Sequence, residues 1–384
     1  MRVAVIVKNL TMGGMQRAAV NLSETFANEG HEAHLIYFKS KNAVLKPNNT
    51  VNLHLFDLEK SLKKTVIGVF LNILAKFLNG LIRYSYFLWQ GILLTPIFKY
   101  KLKKLEKQYG KFDLIIIRGQ GTFEMLWPLH DERLVIQQVN ILRHYKTILH
   151  NFYMQKLFDK KNVMCNAQSI YEEILTGFEK NNIVPKSLNV IPSPINSKLI
   201  QEKALEYSPQ YTQKYLVNVG RFSNAKNISL LIEAFAYAKK HLHLEHNLVL
   251  IGNGELKNDY EKQIKELDIV DSVHFTGSLT NPYPWVKKAD LFVFTSLFEG
   301  LPNVLLESLA CKTNIIATRG RGGTLDIMSG DLANNLTNFD KVEIAEKIIE
   351  VLNSKQTIDY DKHLEIYSPA SVVKKYMDIY MVNN

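Results

Sequence analysis

The chain is poor in cysteine and carries fewer acidic than basic residues. Its two cysteines, Cys165 and Cys311, lie far apart in the 384 residues, which excludes a disulfide framework and a cysteine-based metal site. So little cysteine is typical of a reducing, cytoplasmic setting. The 47 lysines and arginines exceed the 37 aspartates and glutamates. The resulting net charge of +10 favours anionic partners: phosphates, nucleic acid or an acidic membrane surface.

The sequence also lacks a leader pattern and an uncharged apolar run of membrane-spanning length. Residues 1–7, MRVAVIV, already form a strand pattern, which predicts that no leader precedes the fold. The most apolar segment, residues 60–107, is interrupted by Lys76 and Arg83. Its longest uncharged run, residues 84–98, is shorter than the roughly 18 residues that a spanning helix needs.

Residues 60–107 leave two main interpretations open, besides a true transmembrane helix, which the short uncharged run disfavours. They could form a long helical hairpin that covers the first sheet, or a cationic, aromatic-rich surface that sits in the membrane interface. The side chains assigned to such a surface are Phe70, Phe77, Leu81 and Trp89 at the acyl boundary, and Lys63, Lys64, Lys101, Lys103 and Lys104 at the head groups.

What the sequence does have is a repeated alternation of apolar strand patterns and amphipathic helix patterns. The strand patterns are MRVAVIVK, HEAHLIYF, VNLHLFDL, FDLIIIR, LVIQQV and NVMCNAQ, then YLVNVG, HNLVLIG, VHFTG, LFVFTS and NIIAT. Helix patterns cover 15–29, 169–180, 227–241, 256–267 and 303–311. Strands that are apolar throughout are typical of parallel sheets covered on both faces. The pattern predicts an α/β protein of two doubly wound domains, with a boundary in the proline-containing segment 190–198.

Glycines follow two of these strands. Gly13 and Gly14 stand where the first strand turns into a helix, so the backbone there could approach a phosphate, although a simple tight turn explains them equally well. Asn253 lies in GNGELK, which also follows a strand. That segment lacks the third glycine of the dinucleotide fingerprint, which argues against a nicotinamide enzyme.

Two cations follow another strand, in VGRFSNAKN. Arg221 comes directly after Gly220, and Lys226 stands at the entry of the next helix. Ligands bind at the carboxyl ends of strands in doubly wound domains, so this pair could hold a diphosphate without a metal. The alternative is two solvated loop charges.

Two glutamates stand around the start of an apolar helix in FEGLPNVLLESLA. The N–H groups of Asn303, Val304 and Leu305 lie at the positive end of that helix and suit a phosphate. Glu299 precedes the helix and Glu307 lies within it, so their carboxylates could accept from sugar and ribose hydroxyls. This arrangement fits a nucleotide-sugar, unless both acids serve only local ion pairs.

Together these segments resemble the retaining glycosyltransferases of family 4, which have the GT-B fold. The resemblance rests on Glu299 and Glu307 in SLFEGLPNVLLESLA, and on GGMQR, VGRFSNAKNISLLIEAF, LVLIGNGEL, TNPYPWVKKADLFVFTS and YSPASVVKKYMDIY. It implies two Rossmann-like domains with a cleft between them. The first, acceptor-side domain would comprise 1–192 together with a returning last helix, 368–384. The second, nucleotide-sugar-binding domain would comprise 193–367.

The family also implies roles for individual residues and no essential metal or other cofactor. Arg221 and Lys226 would neutralise the leaving diphosphate, Glu299 would hold the donor sugar and Glu307 the ribose. The backbone near Gly14 and Leu305 would meet the phosphates. The single Asp-x-Asp pair, Asp359 and Asp361, precedes the last helix and is interpreted as surface charge.

Three positions depart from the family pattern. Many relatives have a sugar-contacting histidine after the fifth strand, where this chain has Val139 or Asn140, and His144 is the candidate catalytic substitute. Gln16 stands where many relatives have glutamate, and Lys312 where they usually have glycine. The last two changes are expected to alter the chemistry little.

The leading hypothesis is a glycosyltransferase on the inner face of the cytoplasmic membrane. It would move a hexose or N-acetylhexosamine from UDP to a glycan or lipid-linked acceptor of lipopolysaccharide, capsule or another surface polysaccharide. Two alternatives stay open: a nucleotide-sugar epimerase of the same fold, and a catalytically silent partner subunit. No nucleic-acid recognition module is visible, so nucleic acid is not an expected partner.

Overall fold

The computed structural model describes residues 1–11, 13–41, 43–82, 85–139, 150–354 and 358–380. The chain divides into two compact units. One comprises Met1–Pro194 with Pro369–Asn384, and the other comprises Ile195–Ser368. The chain first passes from one unit to the other between Pro194 and Ile195.

The first unit is built on a seven-stranded parallel sheet. Its strands are β1 (Arg2–Asn9), β2 (Glu32–Lys39), β3 (Val51–Leu55), β4 (Leu114–Arg118), β5 (Leu134–Gln138), β6 (Asn162–Cys165) and β7 (Ser187–Val190). Its helices in this part of the chain are α1 (Gly14–Asn28), α2 (Leu58–Leu62), α3 (Val66–Leu81), α4 (Tyr86–Tyr109), α5 (Gln120–Phe123), α6 (His150–Phe158) and α7 (Gln168–Lys180). The strand order is β3-β2-β1-β4-β5-β6-β7, so the winding reverses between β1 and β4. Ligands bind at such a reversal in doubly wound sheets.

The second unit repeats this plan with a six-stranded parallel sheet and a separate pair of short strands. Its strands are β8 (Tyr215–Val219), β9 (Asn247–Ile251), β10 (Val273–Gly277), β11 (Leu291–Phe294), β12 (Phe298–Glu299), β13 (Ile315–Thr318), β14 (Arg321–Gly322) and β15 (Leu336–Thr337). Its helices are α8 (Ser197–Lys203), α9 (Ile228–His241), α10 (Lys257–Glu266), α11 (Tyr283–Lys288), α12 (Asn303–Ala310), α13 (Thr324–Ile327), α14 (Lys341–Asn353) and α15 (Tyr360–Leu364). The sheet order is β10-β9-β8-β11-β13-β15, and β12 pairs separately with β14. The predicted class, α/β with two doubly wound domains, is confirmed.

The last helix, α16 (Pro369–Tyr380), belongs to the first unit. Its Val372, Val373 and Tyr376 are buried in the core that β1 and α1 also supply. The ring of Tyr376 lies 5.3 Å from that of Phe26, centroid to centroid. The core of the first unit therefore includes residues from both ends of the described chain.

Residues 60–107 form a helical hairpin whose two long arms differ in burial. Helix α4 packs against α2 and α3 and buries five of its apolar residues. Those residues are Leu88, Leu94, Phe98, Leu102 and Leu105. Helix α3 buries only Gly68 and Ala75, and it exposes 64% of Phe70 and 63% of Phe77. Helix α4 therefore packs on the first unit, whereas α3 presents an exposed apolar face.

Two of the side chains assigned to a membrane surface have partners within the first unit. Trp89 is half-buried, and its indole N–H donates to the hydroxyl of Ser85 at 3.0 Å. Lys101 is half-buried, and its Nζ lies 5.8 Å from the ring centroid of Phe56. Within the described residues, the structure contains no helix that combines the length and the apolar content needed to cross a bilayer.

Gly91 on α4 tests the packing of the hairpin. A Cβ atom there would overlap the indole of Trp127, which donates to the carbonyl of Leu88 at 3.0 Å. Because the ring would have to move, we expect Gly91→Ala to lower the free energy of unfolding by about 1–3 kcal/mol. In the control, Gly80→Ala on α3, the added methyl group meets nothing within 4 Å. That control should be neutral or stabilising by up to about 1 kcal/mol. Denaturant titration measures both, and equal midpoints would contradict the packing.

Candidate functional site

Two strand-end loops of the second unit are in backbone contact. A Cβ atom on Gly252 would overlap the carbonyl of Gly220, and one on Gly254 would overlap the backbone of Phe222. The N–H of Phe222 donates to the carbonyl of Asn253 at 2.9 Å, and the Asn253 side chain accepts from the N–H of Gly254 at 2.8 Å. Only glycine allows so close an approach, so these loops hold Arg221 in a fixed place at the carboxyl edge of the sheet.

Lys226 crosses the same edge. Lys226 is the last residue of a short 3₁₀ turn. Its backbone carbonyl accepts a hydrogen bond from the Thr295 hydroxyl at 3.2 Å. Its aliphatic stem runs over Gly220, and its Nζ lies 5.8 Å from the ring centroid of Phe294. The ammonium group forms an ion pair with Glu299, and both side chains are about one-fifth exposed, at 22% and 21%. The sequence assigned this cation and this acid to one ligand, and the structure brings them together.

Glu299 is fixed by backbone pairing on the other side of the loop. It lies on β12, which pairs in parallel with β14 in the register Glu299 to Gly322. Its carbonyl accepts from the N–H of Gly323 at 3.1 Å. The carboxylate is therefore presented by a short, hydrogen-bonded ribbon rather than by an open loop.

Arg221 also meets a carboxylate. Its Nε and Nη2 donate to the same oxygen of Glu255 at 3.2 and 3.0 Å. The pKa of Glu255 is lowered, first by a backbone hydrogen bond and further by Arg221. Both side chains are well exposed, at 74% and 52%. Sequence reasoning missed Glu255, and its only sequence signal is an acid inside the glycine-containing segment GNGELK.

Helix α12 places its first turn next to the acidic ribbon. The N–H of Leu305 already donates to the carbonyl of Pro302 at 3.0 Å, and the Leu305 side chain is fully buried. Asn303 and Val304 are therefore the better amide donors for a ligand, which corrects the equal weight given to Leu305. The side-chain oxygen of Asn303 is buried and has no hydrogen-bond partner within the described part of the chain.

Glu307 lies half-buried on the same helix. Burial, and next the charge of Glu307, raise the pKa of the Cys311 thiol to about 12. This buried thiol is therefore protonated and unreactive at neutral pH.

The predicted glycine site of the first unit lies at the start of α1. Gly13 precedes the helix in an extended conformation, and Gly14 begins it with nothing within 4 Å of a Cβ position. The Gln16 amide donates to the side chain of Asn9 at 2.9 Å and so ties the loop to the end of β1. Gln16 thus has a local structural task in this loop.

The remaining sequence expectations have separate outcomes. His144 and Asn140 lie outside the described residues, so His144 stays a prediction. Lys312 has a φ of 61°, the left-handed conformation that glycine adopts without strain, which explains why a glycine suits this position. Asp359 caps α15 by accepting from the N–H of Lys362 at 3.1 Å. Within the described ranges, no three His, Cys, Asp or Glu residues are grouped as metal ligands.

Glu255→Gln tests whether Glu255 and an anionic ligand compete for Arg221. Removing this carboxylate should tighten binding of inorganic diphosphate by about 2- to 5-fold, because an exposed ion pair is weak and its loss frees Arg221 only modestly. Glu266→Gln removes the same charge from an exposed pair with Lys262 and serves as the matched control. Titration calorimetry at low salt measures both. Weaker binding with an unchanged control would instead mean that Glu255 orients Arg221.

Comparison with known proteins places these residues in a wider group. Residues 201–368 match the family model described as glycosyl transferases group 1. The chain is 26% identical over 349 residues to a Campylobacter jejuni protein named N-acetylgalactosamine-N,N'-diacetylbacillosaminyl-diphospho-undecaprenol 4-alpha-N-acetylgalactosaminyltransferase. That similarity covers 88% of this chain and 86% of the relative.

Two further matches also span nearly the whole chain. A second C. jejuni relative, a GalNAc-alpha-(1->4)-GalNAc-alpha-(1->3)-diNAcBac-PP-undecaprenol alpha-1,4-N-acetyl-D-galactosaminyltransferase, is 23% identical and covers 92% of this chain and 90% of its own length. Among solved structures, Anabaena HepE in complex with UDP superposes with a TM-score of 0.69 at 16% identity. It covers 98% of this chain and 99% of its own.

Proposed function

We propose, from the premise that this chain belongs to the group 1 glycosyl transferases of GT-B fold, that it transfers a hexose or N-acetylhexosamine from UDP to a lipid-linked glycan with retention at the anomeric carbon. The predicted family and enzyme class are confirmed by the domain match and by the whole-length relatives. The donor, the acceptor and the stereochemistry are the proposal.

The observation that carries the proposal is the pairing of Lys226 with Glu299 beside the start of α12. A diphosphate arriving at this edge would replace the carboxylate as the partner of Lys226. Glu299 would then be available to accept from hydroxyls of the donor sugar, while Glu307 accepts from the ribose. Binding of the donor diphosphate to Lys226 would thus, in the same step, release Glu299 to bind the donor sugar.

Charge in the transition state develops on the leaving diphosphate. Arg221 and Lys226 supply positive charge at that position, and the first N–H groups of α12 add hydrogen-bond donors. We therefore propose that the reaction needs no metal ion.

Names of relatives support the choice of donor and acceptor. Both C. jejuni relatives are named as N-acetylgalactosaminyltransferases with an undecaprenol diphosphate-linked glycan, and HepE is seen with UDP. A polyprenyl-diphosphate glycan of a cell-surface polysaccharide is therefore the proposed acceptor class. The relatives named above are transferases, which favours transfer over the epimerase alternative.

Turnover measurements on Arg221→Ala and Lys226→Ala test this function. Nucleotide release is followed with a panel of UDP- and GDP-sugars and polyprenyl-diphosphate-linked oligosaccharides. Each variant should lose roughly 10²-fold or more in turnover, the usual loss when one charge-stabilising group is removed. Lys262→Ala, an exposed lysine on α10, is the matched control and should retain activity. Loss of turnover on adding a chelator would overturn the metal-free proposal, and no release with any sugar would favour the silent partner.

The exposed face of α3 supports a peripheral position on the inner face of the cytoplasmic membrane. This 16-residue helix has no acidic residue. Its exposed large side chains are Val66, Ile67, Val69, Phe70, Ile73, Leu74, Phe77 and Leu81. Lys63 and Lys64 are exposed just before the helix, and Lys103 and Lys104 are exposed on α4. An apolar helix face edged by lysines suits the boundary between acyl chains and anionic head groups.

Vesicle cosedimentation tests the position at the membrane. We expect binding to phosphatidylglycerol vesicles, little binding to phosphatidylcholine vesicles, and a loss of binding as salt rises. Replacing Phe70 and Phe77 together with glutamine should lower the bound fraction at least about 10-fold, because two aromatic side chains no longer leave water. Leu205→Gln, which changes a 71% exposed apolar residue of the second unit, is the control. No binding to anionic vesicles at low salt would reject the membrane role.

A further inference from the structure

Buried polar side chains collect at the carboxyl ends of β4, β5 and β6 in the first unit. Arg118 is 1% exposed, Gln137 is fully buried and Asn166 is 4% exposed. Arg118 pairs in register with Gln137, and Gln137 pairs with Met164, two residues before Asn166. Because side chains alternate along a strand, these three share the sheet face that α1 and α16 cover.

Six buried polar atoms of these three residues and the nearby Tyr376 have no hydrogen-bond partner among the described residues. In the described part of the chain, nothing hydrogen-bonds to Nε and Nη1 of Arg118, to either amide atom of Gln137, to the side-chain oxygen of Asn166 or to the hydroxyl of Tyr376. Native interiors pair nearly all such groups, so a cluster of six unpaired atoms calls for an explanation.

The guanidinium of Arg118 remains charged in this position. Burial lowers its pKa to about 10, which still leaves it protonated at neutral pH. Tyr376 of α16 is no counter-ion, because burial raises the pKa of its hydroxyl far above the usual value. Leaving a buried charge unpaired is strongly destabilising, whereas an apolar side chain would fill the same space without that cost. Arg118 therefore serves something other than packing.

The location points to a negatively charged ligand. β4 adjoins β1 at the reversal of the winding, the usual ligand position of a doubly wound sheet. A Cβ atom on Gly119 would overlap the side chain of Met15, so Arg118 lies beside the turn that carries Gly13 and Gly14. Helices α1 and α7 both begin at this edge, and their positive ends add to the guanidinium.

We infer that Arg118, Gln137 and Asn166 form a second anion site, for a phosphate or carboxylate group, in the first unit. Two guanidinium N–H groups would donate to two oxygens of the anion. The Gln137 amide would donate to a third oxygen of a phosphate, or share one of the two oxygens of a carboxylate. If the proposed function holds, the diphosphate of a lipid-linked acceptor is the group of this chemistry that the site receives. Since the guanidinium is covered, entry of the ligand requires the neighbouring Tyr376 side chain or its helix to shift.

The experiment isolates this site from the cations of the second unit. The full chain carrying Arg221→Ala and Lys226→Ala is heated with inorganic phosphate or with acetate, against sodium chloride of equal ionic strength. We expect Tm to rise by about 3 °C at an anion concentration ten times its Kd. A response to phosphate alone identifies a phosphate site, and a response to acetate identifies a carboxylate site. No response to either anion would overturn the inference.

Two further substitutions assign the response to the cluster. Arg118→Met, added to the same background, should abolish it. Gln137→Leu keeps the guanidinium charge and removes the amide, so it should weaken anion binding, judged from the rise in Tm, about 10-fold. This variant replaces Arg118→Met if the latter does not fold. A response unchanged in these variants places the anion elsewhere and overturns the inference. The assay needs no sugar transfer, so it can succeed or fail independently of the proposed function.

Discussion

A parallel sheet ends all its strands at one edge, and this constraint arranges every polar group of interest in the protein. The strands are apolar and covered on both faces, so charged side chains can begin only where the strands stop. Helices that follow these strands begin at the same edge and add their N-terminal donors. In the second unit the edge carries Arg221, Lys226 and Glu299, and in the first it carries the glycine turn and Arg118. Each unit thus has a rim that carries cations and helix N-termini before any ligand is present.

The two rims treat their cations differently. In the second unit both cations meet carboxylates, Lys226 with Glu299 and Arg221 with Glu255. Such pairing keeps the unliganded loops ordered, and an arriving anion has only to exchange partners with a carboxylate. In the first unit Arg118 is covered, and its Nε and Nη1 have no hydrogen-bond partner among the described residues. The energetic cost of burying this charge is therefore already present in the folded chain. The paired cations of the second unit allow easy exchange of a carboxylate for a ligand. The buried Arg118 of the first unit makes binding of a matching anion more stabilising for the fold.

Sequence patterns predicted the two sheets, the cations after β8 and the acids around α12, because each follows from local spacing. They could not predict contacts that depend on how loops meet. Glu255 reads as an ordinary surface acid until Gly252 brings its loop against Gly220. An apolar helix pattern does not show whether the helix is buried or exposed, so only the structure reveals that α3 is exposed and that α4 buries five of its apolar residues. The sequence did not indicate a role for Arg118, the last residue of β4, because the helix that helps to bury it, α16, lies far along the chain.

That contribution of α16 has a consequence for how the chain is made. A ribosome delivers the seven strands of the first sheet early, but Val372, Val373 and Tyr376 of its core emerge only after the whole second unit. The second unit is a continuous stretch and can be complete in sequence while the first still exposes an apolar groove. During synthesis, the part of the protein that begins first is therefore the part that finishes last. Until then its open core is the segment most in need of protection from aggregation.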